Sequence, residues 1–234
     1  MQQITHPLQA CINLFYRPNR VFQRLATTDN WSWLPFLLVV AGTVAPIYYY
    51  FELVDFQWYK DTIISLQFAK VSPAEQRVIN ASLEATRGWM GTIFGPTILI
   101  IIEVTLVAAY VNITGKIDEL NVFGFSDWFG LVWWTLLPSA LASVLSLLLL
   151  SLADSPRLLL SDVSPTALSY LLAIDIGSTW FGLCSAIKLE GLWTLILLAI
   201  GIKQWTHLSN VTAYCIAFIP ACLIGLIWVL LLLF

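Results

Sequence analysis

Glu103 is the residue whose type and place most invite chemistry. It stands just past the midpoint of an apolar stretch, Gly91–Val111, and within about 3 Å of mid-bilayer if that stretch crosses a membrane as a helix. A carboxylate at such depth must be protonated, paired or turned to a polar cavity. It reads either as a proton or cation site or as a hydrogen-bonding contact to a neighbouring helix. Asp175 is the second intramembrane candidate. It would be a second buried acid if Pro165–Ile187 crosses, but it is expected to be solvated beside Gly177 because Gly177 and Ser178 also interrupt that stretch. Glu52 with Asp55, and Asp118 with Glu119, read as solvated span ends rather than a divalent-metal site. The only histidines are His6 and His207, which leaves little for a metal centre or a Ser/His nucleophile. Cys11, Cys184, Cys215 and Cys222 show no framework spacing. No catalytic residue, metal or cofactor is expected, and an enzyme is disfavoured.

The elements that must hold these residues follow from composition. Of 234 residues 59% are hydrophobic and 11% charged, with 11 Trp, and mean hydropathy is +0.83. A soluble domain carries about 25% charged residues. The balance excludes an ordinary soluble enzyme, a disordered chain and a nucleic-acid binder. A membrane crossing needs about 20 mostly apolar residues. The expected class is therefore an all-α integral membrane protein with five transmembrane helices, at about 33–51, 91–111, 131–152, 188–206 and 211–234. Six is the alternative, should Pro165–Ile187 cross as well. Trp31 and Trp33, Trp89, and Trp128 with Trp133 and Trp134 stand at span ends, where aromatic belts are expected.

Two further segments read as short interfacial amphipathic helices. In the N-terminal segment, residues 1–30, Pro18 suits a first helical turn; Val21, Phe22 and Leu25 share one face, expected toward lipid, while Arg17, Arg20 and Arg24 recur on another, the alternative being an ordinary solvated helix packed on the protein. In the connection 52–88, Phe56, Tyr59, Ile63, Leu66 and Phe68 form a rough stripe among Lys60, Asp61 and Lys70, and Ser72-Pro73-Ala74-Glu75 is a capping box. Ala213, Ala217, Ala221 and Gly225 recur every four residues, and Gly91 with Gly95 makes a shorter version; such stripes let helices approach closely, within one chain or between two. Pro46, Pro96, Pro138 and Pro220 each free a backbone carbonyl within a span. Lys and Arg divide almost evenly between the two sides, and the compact cluster Arg17, Arg20 and Arg24 favours a cytoplasmic N-terminus.

Several short pieces in order resemble the prokaryotic branch of the Yip family. They are Arg17-Pro18-Asn19-Arg20-Val21-Phe22 followed by Trp31 and Trp33, then Ser72-Pro73-Ala74-Glu75-Gln76 before a Gly-rich span entry. Gly124-Phe125-Ser126-Asp127 then leads to Leu137-Pro138, and Leu192-Trp193-Thr194 opens the run Leu195–Ile202. The resemblance implies a five-span helical core with a cytosolic N-terminus. Eukaryotic members act in vesicle trafficking and bind prenylated Rab GTPases, but the N-terminal extension here is too short to carry that role over. The expected function is a non-enzymatic scaffold of a bacterial inner membrane, organising lipid or partner proteins. Alternatives are a transporter or lipid- or ion-handling protein using Glu103, and an accessory subunit docking a partner through its small-residue stripe. Membrane lipids are the expected partner, with another membrane protein or a second copy as further candidates and nucleic acid excluded.

Overall fold

A computed structural model describes residues 4–28, 31–69 and 71–234; Lys70 and the outer ends of the N-terminal segment, Met1–Gln3 with Asp29 and Asn30, lie outside the described residues. The described chain is helical. Its elements are α1 (Pro7–Leu14), α2 (Pro18–Leu25), α3 (Trp33–Leu53), α4 (Phe56–Gln67), α5 (Pro73–Arg87), α6 (Gly95–Thr114), α7 (Phe125–Thr135), α8 (Leu137–Ser151), α9 (Leu168–Leu171), α10 (Phe181–Ala186), α11 (Leu189–Trp205) and α12 (Asn210–Leu233). A π turn at Met90–Phe94 leads into α6 and a 3₁₀ turn at Gly115–Ile117 ends it. The described residues contain no strand, only an isolated antiparallel bridge between Ala167 and Lys188.

Four helical stretches are long and apolar enough to cross a membrane: Trp33–Leu53, Met90–Ile117, Phe125–Ser151 and Asn210–Leu233. The expected fifth, about 188–206, forms α11, which has 17 residues with Glu190 in its first turn and Lys203 in its last. At 1.5 Å per residue it spans about 26 Å, short of a hydrocarbon core of about 30 Å. Pro165–Ile187, the sixth crossing of the alternative, holds only the short α9 and α10. The third crossing starts earlier than expected, at Phe125, and is broken at Leu136. Pro138 has no N–H to give, so the break falls where the helical ladder loses a donor.

The chain folds as two compact units. The first comprises Met1–Val40, Ile100–Ala140 and Glu190–Phe234. Its core contains Val21 and Phe22 of α2, Leu14 of α1, Trp128 and Trp134 of α7, Ile202 of α11, and Ala213 and Ala217 of α12. This corrects two expectations. The apolar face of α2 is turned to protein rather than lipid: Val21 and Phe22 are fully buried and Leu25 nearly so, while Arg17, Arg20 and Arg24 are exposed. Trp128, Trp133 and Trp134 are buried and form no belt, whereas Trp33 and Trp89 are exposed. An indole that would suit the interface serves as well in a core, where its area contributes more.

The second unit comprises Ala41–Leu99 and Leu141–Leu189. Its core is an aromatic cluster of Tyr50, Phe51, Phe56 and Tyr59 with Ile63, Leu150 and Val163. Tyr50 donates its hydroxyl to the Leu158 carbonyl at 2.8 Å, and the Asp55 N–H reaches the Pro156 carbonyl at 2.8 Å. Phe56 carries the Lys60 ammonium and the Arg87 guanidinium over its ring at 5.2 and 5.0 Å, and Lys60 also pairs with Glu84. The capping box of α5 is formed, with the Ser72 N–H donating to Glu75 at 2.8 Å and the Glu75 N–H to the Ser72 hydroxyl at 3.3 Å. Gly91 permits the π turn: a Cβ there would come within 2.5 Å of the Thr86 carbonyl oxygen. It thus serves a backbone approach along its own chain rather than helix–helix packing.

The first unit depends on Trp205. Its indole N–H donates to the Phe22 carbonyl at 2.8 Å. Trp205→Phe keeps an aromatic ring but loses the donor and part of the indole's volume, so it is expected to lower stability by about 2 kcal/mol. Trp205→Ala leaves a cavity and should cost about 3–5 kcal/mol. Unfolding in detergent micelles measures both, and Trp205→Ala alone should speed tryptic cleavage at Arg20 and Arg24.

Candidate functional site

The first unit holds an open cleft of about 870 Å³. It is built where three elements meet: the exit of α2 (Leu25, Ala26, Thr28), the start of α3 (Ser32, Trp33, Phe36) and the first turns of α7 (Ser126 to Trp134), closed by Phe123 and Trp205. Gly130 lets α7 approach the start of α3, because a Cβ there would meet the Ser32 hydroxyl at 2.8 Å. The Trp134 N–H donates to the same hydroxyl at 3.3 Å. Phe36 and Phe129 both set their rings edge-on to Trp133, at 5.0 and 6.0 Å, while Phe123 stacks on Trp205 at 4.4 Å. Aromatic pairs in these geometries are rigid as well as apolar. The indole N–H of Trp133 is buried without an acceptor.

Polar groups gather at the rim. Asp127 lines the cleft and accepts the Gly124 N–H at 2.8 Å, which caps α7. Arg24, next in chain to the lining Leu25, lies over the Trp31 ring at 5.7 Å, and Arg17 over Tyr16 at 5.8 Å. Gln23 donates to Gln204 at 2.9 Å and Gln204 to Asn19 at 3.2 Å, fixing α2 to the end of α11. The cationic face expected in the sequence is thus held beside an aromatic cleft, with Trp31 half-buried and Trp33 exposed.

Asp118 was expected to be a solvated span end, and the structure buries it. Its carboxylate accepts the His207 backbone N–H at 2.8 Å and the Leu120 N–H at 3.1 Å, and lies 3.2 Å from Nδ1 of the His207 ring. These contacts, the His207 N–H foremost, hold it below the usual carboxylate range. Nothing in its own neighbourhood marks it, because the partner lies 89 residues away.

Glu103 is exposed on α6 among the exposed Leu99, Ile102 and Leu106, and it lines neither this cleft nor the cavity of the second unit. Asp175 is exposed in the turn after α9 and accepts the Gly177 N–H at 2.7 Å. Glu103 and Asp175 belong to different units. Ala213 and Ala217 are buried, close to where Tyr110 of α6 donates to the Ile216 carbonyl at 3.0 Å. Ala221 is exposed, and a Cβ on Gly225 would meet open space. A Cβ on Gly95 would touch only the Met90 carbonyl oxygen, at 3.8 Å. Asp55 caps α4 by accepting the Trp58 N–H at 3.1 Å. Among the described residues no group of three His, Cys, Asp or Glu could hold a metal ion.

Long apolar helices with an aromatic cleft define an all-helical integral membrane protein. The chain belongs to the Yip1 domain family, whose model matches residues 12–232, nearly the whole chain. No curated protein and no solved structure matches it.

The Asp118 contacts predict an acid limb in stability. A carboxyl held below its ordinary value of 3.8 in the folded chain contributes stability that is complete above that value and lost as pH falls through the lower folded one. Melting in micelles should therefore be insensitive to this group near neutrality and fall more steeply below about pH 4 in the wild type than in Asp118→Asn.

Proposed function

We propose that the chain is a non-enzymatic scaffold of a bacterial inner membrane, in the prokaryotic branch of its family, that organises lipid by seating an acyl chain in the aromatic cleft of the first unit. The observation that carries this reading is the cleft itself. Its volume of about 870 Å³ falls within the range of about 300–1,000 Å³ typical of small-molecule sites. Its wall is aromatic and its rim holds Asp127, Ser126 and Thr28. Aromatic rings and polar side chains in one open cleft suit an amphiphile. The exposed Arg17, Arg20 and Arg24 supply the charge that attracts anionic headgroups. In this reading α11 is a fifth, tilt-free crossing with Glu190 and Lys203 at its two ends, and the N-terminus is cytoplasmic.

Two measurements test the proposal. Ser126 is exposed in the first turn of α7 and lines the cleft, so Ser126→Trp fills it without touching the core. After extensive washing in detergent, mass spectrometry should find phospholipid retained by the wild type and lost from Ser126→Trp at unchanged melting temperature; equal retention contradicts the reading. Arg24→Gln should reduce the preference for anionic over zwitterionic lipid about fivefold, the effect of about 1 kcal/mol from one basic side chain near an anionic surface. For topology, alkaline phosphatase fused after Phe234 should be active with five crossings from a cytoplasmic N-terminus; an inactive fusion, with a fluorescent cytoplasmic reporter at the same point, refutes the fifth crossing.

A further inference from the structure

The second unit holds a cavity of its own, of about 310 Å³, with a different chemistry. Its polar lining is Tyr59 and Gln67 from α4, Ser161 and Ser164 from the turn before α9, Ser169 with Ser185, and Lys188. Among the described residues Lys188 is the one charged residue in the lining, and no carboxylate lines it. We propose that this cavity is a phosphate-binding site, taking a phosphate group carried by a lipid headgroup or free in solution.

Tyr59 is the first argument. Its ring is packed in the aromatic cluster and the residue lines the cavity, while its hydroxyl is not among the buried polar atoms left without a partner and so stays accessible. A phenol held by its ring with an accessible hydroxyl is a fixed donor at the cavity wall. Burial pushes its pKa above the ordinary phenol value, so it stays a donor across the physiological range. The Ser161 and Ser164 hydroxyls are held only by long contacts, at 3.4 Å to Asp162 and 3.3 Å to the Leu160 carbonyl, and can turn to a better acceptor. Ser169 is buried and accepts the Ser185 hydroxyl at 2.9 Å, leaving its own hydrogen to donate. The amide of Gln67 and the ammonium of Lys188 complete a set rich in donors and poor in acceptors.

The backbone fixes that set in place. The isolated bridge puts Lys188 beside the buried Ala167, with the Leu168 N–H reaching the Ile187 carbonyl at 2.9 Å and the Leu189 N–H reaching Thr166 at 3.1 Å. Ala173 adopts a positive φ of 48°, a conformation uncommon outside glycine, and the Ile174 N–H returns to the Ser169 carbonyl at 2.8 Å. A phosphate offers several acceptor oxygens to donors converging from different directions, and a lysine serves it as a point charge. The remaining lining, Ile63, Leu160, Ile176 and Phe181 among it, is apolar and strengthens each of those contacts.

The test uses the full chain in maltoside micelles. The first probe is inorganic phosphate against chloride at equal ionic strength, read by calorimetric titration. The second is phosphatidylglycerol against diacylglycerol of the same chains, read by native mass spectrometry. Lys188 is exposed, so Lys188→Gln is expected to keep the wild-type melting temperature. It should weaken binding about tenfold, the loss of one charge-assisted hydrogen bond. Lys188→Arg should restore part of that loss, and Tyr59→Phe is an independent second variant that should also weaken binding. A response to inorganic phosphate assigns a soluble source, and selective retention of phosphatidylglycerol without it assigns the headgroup; either supports the site. Wild type, Lys188→Gln and Tyr59→Phe behaving alike toward both probes overturns it.

Discussion

The hydrogen bond from the Trp205 indole to the Phe22 carbonyl, 2.8 Å long, is the joint on which the first unit is built. Trp205 ends α11, stacks on Phe123 and tilts against Trp128, and it also lines the cleft. One side chain thus draws the middle of α2 onto the bundle and supplies part of the cleft wall. Because Val21 and Phe22 are pulled inward, the arginines of α2 are left outward beside the rim. Cationic face and aromatic cleft are two consequences of a single docking event. An indole is suited to this: its body replaces the apolar contacts of a core and its one donor fixes orientation.

The second unit solves the same problem with different means. Its long connections carry backbone that no continuous helix satisfies, and side chains close them instead: Tyr50 on Leu158, Asp55 on Trp58, Asp175 on Gly177 and the Ser72–Glu75 box. Lys60 and Arg87 are spent over the ring of Phe56, where cation–π attraction holds them. Lys188 stands at a cavity of hydroxyls. The two cavities accordingly differ in kind, the one aromatic and open, the other small and donor-rich.

Much of the fold is legible in the sequence because lipid imposes a simple demand. A helix that satisfies its own backbone and presents about 20 apolar side chains is recognisable by length and hydropathy. Four such helices are present, the third starting earlier than the sequence suggests, and the Ser72–Glu75 box forms as its spacing implies. Pairings across the chain are not legible. The pattern of Val21, Phe22 and Leu25 suits lipid and protein equally, and only the presence of Trp205, 183 residues away from Phe22, decides between them. Trp128, Trp133 and Trp134 carry the composition of a belt and the burial of a core. Asp118 is solvated by every local criterion and buried through His207. Glu103 stands out in the sequence as a lone acid in an apolar stretch, but a single position on α6 does not reveal which face it occupies. The cleft was not foreseen at all, since its wall is gathered from α2, α3, α7 and α11.

The central claim is that an acyl chain enters the aromatic cleft of the first unit. The most direct measurement is photocrosslinking with a phospholipid that carries a diazirine near the end of its acyl chain, followed by peptide mapping of the adducts. The account predicts adducts concentrated on the peptides bearing Phe36, Phe129 and Trp133. Adducts spread over the exposed faces of α6 and α12, at Leu99, Leu106 and Leu231, with none in the cleft, would contradict it.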